Sequence, residues 1–352
     1  MRAPPTDSSP LTETAAGRGR VQAGVIAIAL LGLALATYLV VHHGARDIVQ
    51  ALAGIGWGMV AIVIAHVAQV ALSGRGWHAV GHVEHDAPVG VFILARWIRE
   101  AVSGLLPLTQ IGGEVVSIRI VALHGVGNGI AASSMIADLG AQIVSQALFT
   151  LLGLSLLLAD GHQGPVVLWT VLGLVASVSV LPAFFFAQRR GLLRATENLF
   201  IRLADRFPAF KGSSLDGLHD SIHRIFRQPQ SLVMSFHAHL LSWLLGAFEI
   251  WLILHFLGAD VGLREALVIE SLSQVIRSVA FAVPGGLGVM EGGFMLLGAL
   301  YGLSPQTGLA MSLAKRVREV LLGVPALAVW QVIEGRRWWT RRRTSPTPGL
   351  TD

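Results

Sequence analysis

Six long apolar runs dominate the chain, and they limit its fold more than any other feature does. They cover residues 21–42, 56–73, 135–158, 165–187, 232–257 and 308–333. A helix of about 20 apolar residues crosses a bilayer, and no run alternates as a membrane β-barrel requires. Charged residues make up only 13% of the chain, about half the share found in a soluble domain. The sequence therefore predicts an all-α polytopic membrane protein with six full spans.

Two further apolar segments contain charges and meet a proline, after which a second apolar arm follows. The first pair of arms is 90–106 and 111–123, and the second is 266–283 and 287–303. Paired arms around a proline and glycine break are typical of a re-entrant helical hairpin, and two tilted full spans are the alternative. We therefore expect two hairpins, with six to eight or more membrane segments in all. The predicted breaks are Pro107, Gly112 and Gly113 in the first hairpin, and Pro284, Gly285 and Gly286 in the second.

The two breaks also read as copies of one motif. Pro107 precedes Glu114 by the same seven positions that separate Pro284 from Glu291, and the copies lie 177 positions apart. Three predicted spans separate the hairpins, so the copies should be inverted, an arrangement typical of transporters. At the same offset Glu100 corresponds to Arg277. Asp138 likewise corresponds to Lys315, so we hypothesise that these opposite charges pair across a pseudo-twofold axis.

Basic residues flank the apolar runs, which predicts both the domain limits and the topology. We expect a disordered cytoplasmic N-terminus over 1–20, a transmembrane domain over 21–335 and a basic cytoplasmic tail over 336–352. Within the domain we expect repeat one at 49–158, a cytoplasmic amphipathic segment at 188–230 and repeat two at 231–333. Because the net charge of +5 follows this pattern, it indicates membrane topology and not nucleic-acid binding.

Charges inside apolar segments are the best candidates for function, since each costs about 2.5–3.5 kcal/mol at the bilayer centre on insertion scales. They are expected to line a polar cavity, where a bound lipid headgroup would meet them. Helix capping by the glutamates, closing ion pairs and snorkelling of the basic residues are the alternatives. The candidates are Arg96, Arg99, Glu100, Glu114, Arg119, Asp138, Glu270, Arg277, Glu291, Lys315 and Glu319.

Three other charged residues are left outside this set. Helical periodicity turns Arg316 and Arg318 away from the face that Lys315 shares with Glu319, so we expect ion pairs or snorkelling there. Glu249 lies alone in the fifth apolar run. We assign it no role from the sequence.

No cofactor or metal is predicted. The chain has no cysteine, and the histidines around His78, His82 and His85 lie in a predicted solvated loop without a recognised metal motif. The glycines after Pro284 lack the strand and lysine of a nucleotide-binding loop. No nucleophile and general base occur at a spacing typical of a catalytic pair, so the sequence contains no recognisable catalytic motif.

The two glutamate motifs, Pro107-Leu-Thr-Gln-Ile-Gly-Gly-Glu114 and Pro284-Gly-Gly-Leu-Gly-Val-Met-Glu291, resemble those of the lysylphosphatidylglycerol synthase transmembrane region, also called the flippase-like family. The sequence around Lys315–Glu319 and Trp330–Glu334 is most similar to that of the hopanoid-biosynthesis-associated membrane proteins of that family. This resemblance covers about residues 21 to 335.

The resemblance implies a multi-pass protein of the bacterial inner membrane, with both termini cytoplasmic, that moves or handles lipids. In the larger synthases this region flips an aminoacylated phospholipid that a separate soluble domain makes. Residues 336–352 are too few for such a domain, so we expect translocation and not synthesis.

The expected partners are the bilayer, a polar-headed lipid or hopanoid, and lipid-biosynthesis proteins. The alternatives are an enzyme that modifies lipid headgroups within the membrane and an assembly partner of a lipid-synthesis complex.

Overall fold

The computed structural model of the protein describes residues 45–106, 111–161, 218–280 and 286–344, together with the helical residues Tyr38, Val41, Leu168, Val171 and Leu172. Apart from those isolated residues, the predicted runs 21–42 and 165–187 lie outside the described part. So do the predicted break residues Pro107, Pro284 and Gly285.

Within the described ranges every regular element is a helix, which confirms the all-α class. The ten helices are α1 (Ala45–Ile55), α2 (Gly58–Gly81), α3 (Val89–Leu105), α4 (Ile111–Leu123), α5 (Asn128–Ala159), α6 (Leu218–Phe226), α7 (Pro229–Phe256), α8 (Leu263–Val279), α9 (Val289–Ala299) and α10 (Pro305–Thr344). Three predicted apolar runs, 56–73, 135–158 and 232–257, fall within α2, α5 and α7, apart from one or two residues at an end.

Three helices, α2, α5 and α7, are long and apolar enough to cross a membrane. Helix α10 covers the predicted run 308–333 and is longer still, but it carries Lys315, Arg316, Arg318 and Glu319 close together. Those charges interrupt its apolar surface, so length alone does not make it a simple span. The described helices therefore establish a multi-pass membrane protein without fixing the number of spans.

Helix boundaries recur at the spacing seen in the sequence. Helix α5 begins at Asn128 and α10 at Pro305, which are 177 positions apart. Helix α4 begins at Ile111 and α9 at Val289, which differ by one residue from that offset. The offset that separates the two motifs therefore also separates the starts of two pairs of helices, to within one residue.

Helices α2 and α7 form the central seam of the bundle and run antiparallel. Gly58, at the start of α2, lies directly against the ring of Phe256 at the end of α7. Gly76, near the end of α2, lies against His239 near the start of α7. Glycine at these two positions allows the helices to approach closely, as small residues do between membrane helices.

Two large apolar clusters form most of the core of the described part, and polar side chains lie between them. One cluster contains Trp77 and Phe92, and the other contains Ile62 and Phe294. Along α2, the polar residues between Ile62 and Trp77 include His66, Gln69 and Ser73. The helices thus bury apolar side chains toward both ends of the seam and keep a polar zone in the middle.

Glycine has different roles near the two predicted breaks. Gly286 and Gly288 have φ values of +62° and +76°, a region that other residues rarely adopt. Gly112 and Gly113 instead lie within α4, so they do not form the break that the sequence suggested. A Cβ on Gly113 would lie 2.7 Å from the carbonyl oxygen of Arg99, which shows that Gly113 serves the close packing of α4 on α3.

Candidate functional site

A cavity of about 540 Å³ opens in the polar zone of the bundle. Side chains from α2, α3, α5, α7, α8, α9 and α10 line it. Six of the sequence candidates are among them: Arg96, Glu100, Glu270, Arg277, Lys315 and Glu319. The volume is within the range of small-molecule sites, roughly 300–1,000 Å³.

The seam between α2 and α7 supplies one polar wall of the cavity. Gln69 Nε2 donates a hydrogen bond to Glu249 Oε2 at 2.6 Å, and Ser73 Oγ lies 3.1 Å from Ser242 Oγ. Glu249 is only 1% exposed. A carboxylate so deeply buried needs compensating charge or hydrogen bonds, and the neighbouring helices supply both.

Glu249 and Glu100 belong to one network that joins four helices. Arg318 Nε lies 3.2 Å from Glu249 Oε1. The ring of His66 stands between the two glutamates, with Nδ1 3.1 Å from Glu249 Oε2 and Nε2 3.1 Å from Glu100 Oε2. Arg318 also contacts this ring. The network holds α2, α3, α7 and α10 together around the cavity.

Arg96 extends this network to α5. Its Nε donates to Glu100 Oε1 at 3.1 Å, and its Nη1 donates to Gln142 Oε1 at 3.2 Å. Arg96 is 8% exposed. The guanidinium therefore satisfies two acceptors on two helices, as the planar fork of arginine allows.

A second group of charges lies where α8 meets α10. Lys315 Nζ donates to Glu270 Oε2 at 2.8 Å, and Gln274 Nε2 donates to Glu270 Oε1 at 2.6 Å. On α10, Arg316 Nη1 donates to Glu319 Oε2 at 3.3 Å. Glu270 and Gln274 thus share one face of α8, whereas Lys315 turns to Glu270 and not to Glu319.

Arg277 differs from the other cavity cations. It is exposed and lines the cavity, and within the described part of the chain it forms no ion pair. A cation of this kind is available to a ligand without first breaking an internal contact.

Five of the sequence candidates do not line the cavity. Arg99 Nη2 donates to Glu114 Oε1 at 2.8 Å, joining α3 to α4. Arg119 Nη2 donates to Glu334 Oε2 at 2.9 Å, joining α4 to α10. These two ion pairs link helices and are not part of the cavity lining.

The remaining two candidates are also engaged elsewhere. The Gly288 backbone N–H donates to Glu291 Oε2 at 2.7 Å, so this glutamate caps the start of α9. Asp138 Oδ1 lies 2.8 Å from His239 Nε2, and both residues are 1% exposed. The contact of Glu291 with Gly288 is therefore the helix capping that was the alternative to a cavity role.

The hypothesis that opposite charges pair across the repeat is wrong. Glu100 pairs with Arg96 and not with Arg277, and Lys315 pairs with Glu270 and not with Asp138. Each charge finds its partner on a neighbouring helix or one turn away. Proximity within the bundle therefore decides the pairing, and equivalence in the repeat does not.

Four residues at the centre of the site lie outside the candidate set taken from the sequence: His66, Gln69, Glu249 and Arg318. Periodicity on α10 suggested that Arg318 points away, yet it is 4% exposed and contacts Glu249. The signal was Glu249 itself, because a lone carboxylate in an apolar span requires a buried partner. Which cation would reach it depends on packing that no local pattern encodes.

Within the described ranges no group of three histidine, aspartate or glutamate side chains has an arrangement that could hold a metal ion. In the predicted loop cluster, Glu84 accepts hydrogen bonds from Arg224 of α6, with Nη2 to Oε2 at 2.7 Å. His82 Nδ1 lies 3.5 Å from Asp86 Oδ1. These residues therefore contact α6 and one another.

A helical bundle with long apolar spans and a buried charged cavity defines a polytopic α-helical membrane protein. The family model for the lysylphosphatidylglycerol synthase TM region matches residues 23–326, and the chain belongs to that family. A relative in Methanothermobacter thermautotrophicus, a UPF0104 membrane protein, is 22% identical over 234 residues, covering 62% of this chain and 67% of the relative. No solved structure matches the chain.

Proposed function

We propose that the protein is a lipid translocase of the bacterial inner membrane, which holds the polar head of a lipid in the charged cavity while the apolar tail stays in the bilayer. The observation that carries this proposal is the cavity itself. The cavity has a volume of about 540 Å³ and lies among buried charges in an otherwise apolar bundle. Intramembrane charges of this kind mark substrate pathways in membrane proteins.

The arrangement of the helices supports transport over simple binding. Helices α2 and α7 lie in the predicted repeats one and two, and they pack antiparallel, which is compatible with repeats of inverted topology. Such repeats place a substrate site at their interface and allow alternating access. In this proposal six full spans and two re-entrant hairpins surround the cavity, and both termini are cytoplasmic.

The hairpin glutamates take a supporting role in this proposal. Glu114 and Glu291 hold α4 and α9 in place through Arg99 and Gly288, and the side chains of the cavity meet the headgroup. A hopanoid or another polar-headed lipid is the proposed cargo, consistent with the family resemblance of the motifs.

A matched pair of variants tests this assignment. Glu100→Gln changes a cavity carboxylate whose side chain is 33% exposed, and Glu334→Gln changes one that is 28% exposed but does not line the cavity. Each variant would be reconstituted into vesicles with fluorescent lipids, and transport followed by quenching of the outer leaflet. We expect Glu100→Gln to slow transport by roughly tenfold or more and Glu334→Gln to leave it near the wild-type rate.

Folding must be measured beside transport, since both glutamates form ion pairs. Size-exclusion profiles and thermal midpoints of the two variants should match each other. Equal transport by wild type and Glu100→Gln, with equal folding, would remove the cavity from the mechanism.

One observation favours a second function, a headgroup-modifying enzyme. His66 stands between Glu100 and Glu249 in the cavity, an arrangement that could exchange protons with a substrate. Mass spectrometry of lipids incubated with purified protein distinguishes the two functions. Unchanged lipid masses support translocation, and a new headgroup mass that disappears in His66→Gln supports the enzyme.

A further inference from the structure

Among the described residues that line the cavity, every charge but one has a partner of opposite sign. Four lining carboxylates each have a cationic neighbour: Glu100 has Arg96, Glu249 has Arg318, Glu270 has Lys315 and Glu319 has Arg316. Arg277 is the lining cation left over among the described residues. The described lining therefore offers a ligand one unpaired positive charge, and each of its carboxylates has a cation beside it.

The nearby sequence does not supply the missing counter-ion. Residues 281–285, which follow α8, are Phe, Ala, Val, Pro and Gly. None of them is acidic. Beside Arg277 the cavity wall is neutral and polar, where Gln146 Nε2 donates to Ser278 Oγ at 3.5 Å. These groups can offer hydrogen bonds to a ligand, but they cannot neutralise the guanidinium.

We propose that Arg277 binds the phosphate, or a chemically similar anion, of a lipid headgroup in the cavity. This inference rests on the proposed function and adds the class of headgroup to it. The planar fork of arginine matches the oxygens of a phosphate bidentately. The matched pairs around it give a second anion no comparable site, so a single anionic group is recognised.

The difference between the halves of the chain explains why the anion site is single. At the 177 offset, the position of Arg277 in the second half is occupied by Glu100 in the first. Glu100 accepts a hydrogen bond from Arg96 and faces His66. In the first half the residue at this position is therefore paired within the protein, whereas in the second half Arg277 remains open to the cavity.

Binding of defined lipids to purified protein tests the assignment. The probes are phosphatidylglycerol and a diacylglycerol with the same acyl chains, which lacks the phosphate, measured by native mass spectrometry. We expect wild type to retain phosphatidylglycerol and not diacylglycerol. Arg277→Gln should weaken phosphatidylglycerol binding roughly tenfold, and Arg277→Lys should fall between them because it keeps the charge and loses the fork.

Arg264 provides a control on the same helix. It pairs with Asp160 and does not line the cavity, so Arg264→Gln should bind phosphatidylglycerol as wild type does. Arg277→Gln should keep the wild-type thermal midpoint, whereas an arginine with only a structural role would lower it.

Three results would overturn the proposal. They are equal phosphatidylglycerol binding by wild type and Arg277→Gln, equal retention of phosphatidylglycerol and diacylglycerol, or stabilisation by inorganic phosphate through Arg277 without lipid binding. The last outcome would identify a free anion as the ligand. Lipid binding that depends on Arg277 without any transport in vesicles would defeat the translocase and leave the anion site standing. Transport at the wild-type rate by Arg277→Gln would defeat the anion site and leave the translocase standing.

Discussion

The two glutamates that follow the two prolines occupy equivalent places in the chain, yet they form different contacts. Glu114 reaches across to Arg99 on the preceding helix, whereas Glu291 caps the first turn of its own helix at Gly288. The cause is visible at the 177 offset, because the position of Arg99 is taken by Ile276 in the second half. Without an arginine at that position, Glu291 accepts a hydrogen bond from the Gly288 backbone N–H, and Arg316 of α10 lies at a longer 3.5 Å.

This comparison shows that a repeated motif preserves a bend more faithfully than it preserves electrostatics. Both copies place a carboxylate in the first turn of the helix after the break. A negative charge is favourable there in either copy because of the helix dipole. The ion pair of the first copy is the closer one, since Arg99 Nη2 lies 2.8 Å from Glu114 Oε1 and Arg316 Nε lies 3.5 Å from Glu291 Oε1, so Glu114 should matter more to stability.

The largest expected effect is therefore at Glu114. Glu114→Gln removes the charge that compensates Arg99, which is 8% exposed. Leaving a buried cation unpaired costs about 3 kcal/mol, so the thermal midpoint in detergent, followed by tryptophan fluorescence, should fall clearly.

The double variant Arg99→Gln with Glu114→Gln is the control for that prediction. Because no charge is then left without a partner, it should be more stable than Glu114→Gln alone. A double variant that is as unstable as the two single losses added together would mean that the side chains act independently and not as a pair.

A smaller effect is expected from the glycines beside the two glutamates. A Cβ on Gly113 would lie 2.7 Å from the Arg99 carbonyl oxygen, whereas a Cβ on Gly292 meets nothing within 4 Å. Gly113→Ala should lose about 2 kcal/mol through overpacking. Gly292→Ala should gain up to about 1 kcal/mol from helix propensity. Thermal midpoints that move in the same direction for both variants would contradict the difference in packing between α4 and α9.

The smallest expected effect is at Glu291. Replacing it with alanine removes a helix cap, which is worth about 1 kcal/mol. The same thermal measurement should place Glu291→Ala well above Glu114→Gln in stability. If the two fall equally, then the contact of Arg316 Nε with Glu291 Oε1, at 3.5 Å, contributes more than the cap.

Much of the helix order could be predicted from the sequence, because apolar runs and their interruptions are local features. The runs within α2, α5 and α7 were located to within a few residues at most ends. The arm 111–123 corresponds to α4. The break residues were less predictable, since Gly112 and Gly113 look like a bend in the sequence but lie within a closely packed helix.

The cavity could be predicted only in part. A charge in an apolar segment requires a partner, and this rule identifies Glu270 and Lys315 as candidates for the cavity. It could not show that Arg318 would meet Glu249, because the two residues are far apart in the chain and no spacing rule joins α7 to α10. Partner choice depends on which helices touch, and that information is spread over the whole bundle.

The pairing of α10 with earlier helices has a consequence for biogenesis. Glu249 and Glu270 are synthesised well before Arg318 and Lys315, the cations that neutralise them. While the ribosome is still making α10, two carboxylates in the newly inserted chain therefore lack their counter-charges in the lipid. Insertion of α10 supplies both of these cations, so a nascent protein halted before residue 315 would be a natural target for membrane quality control.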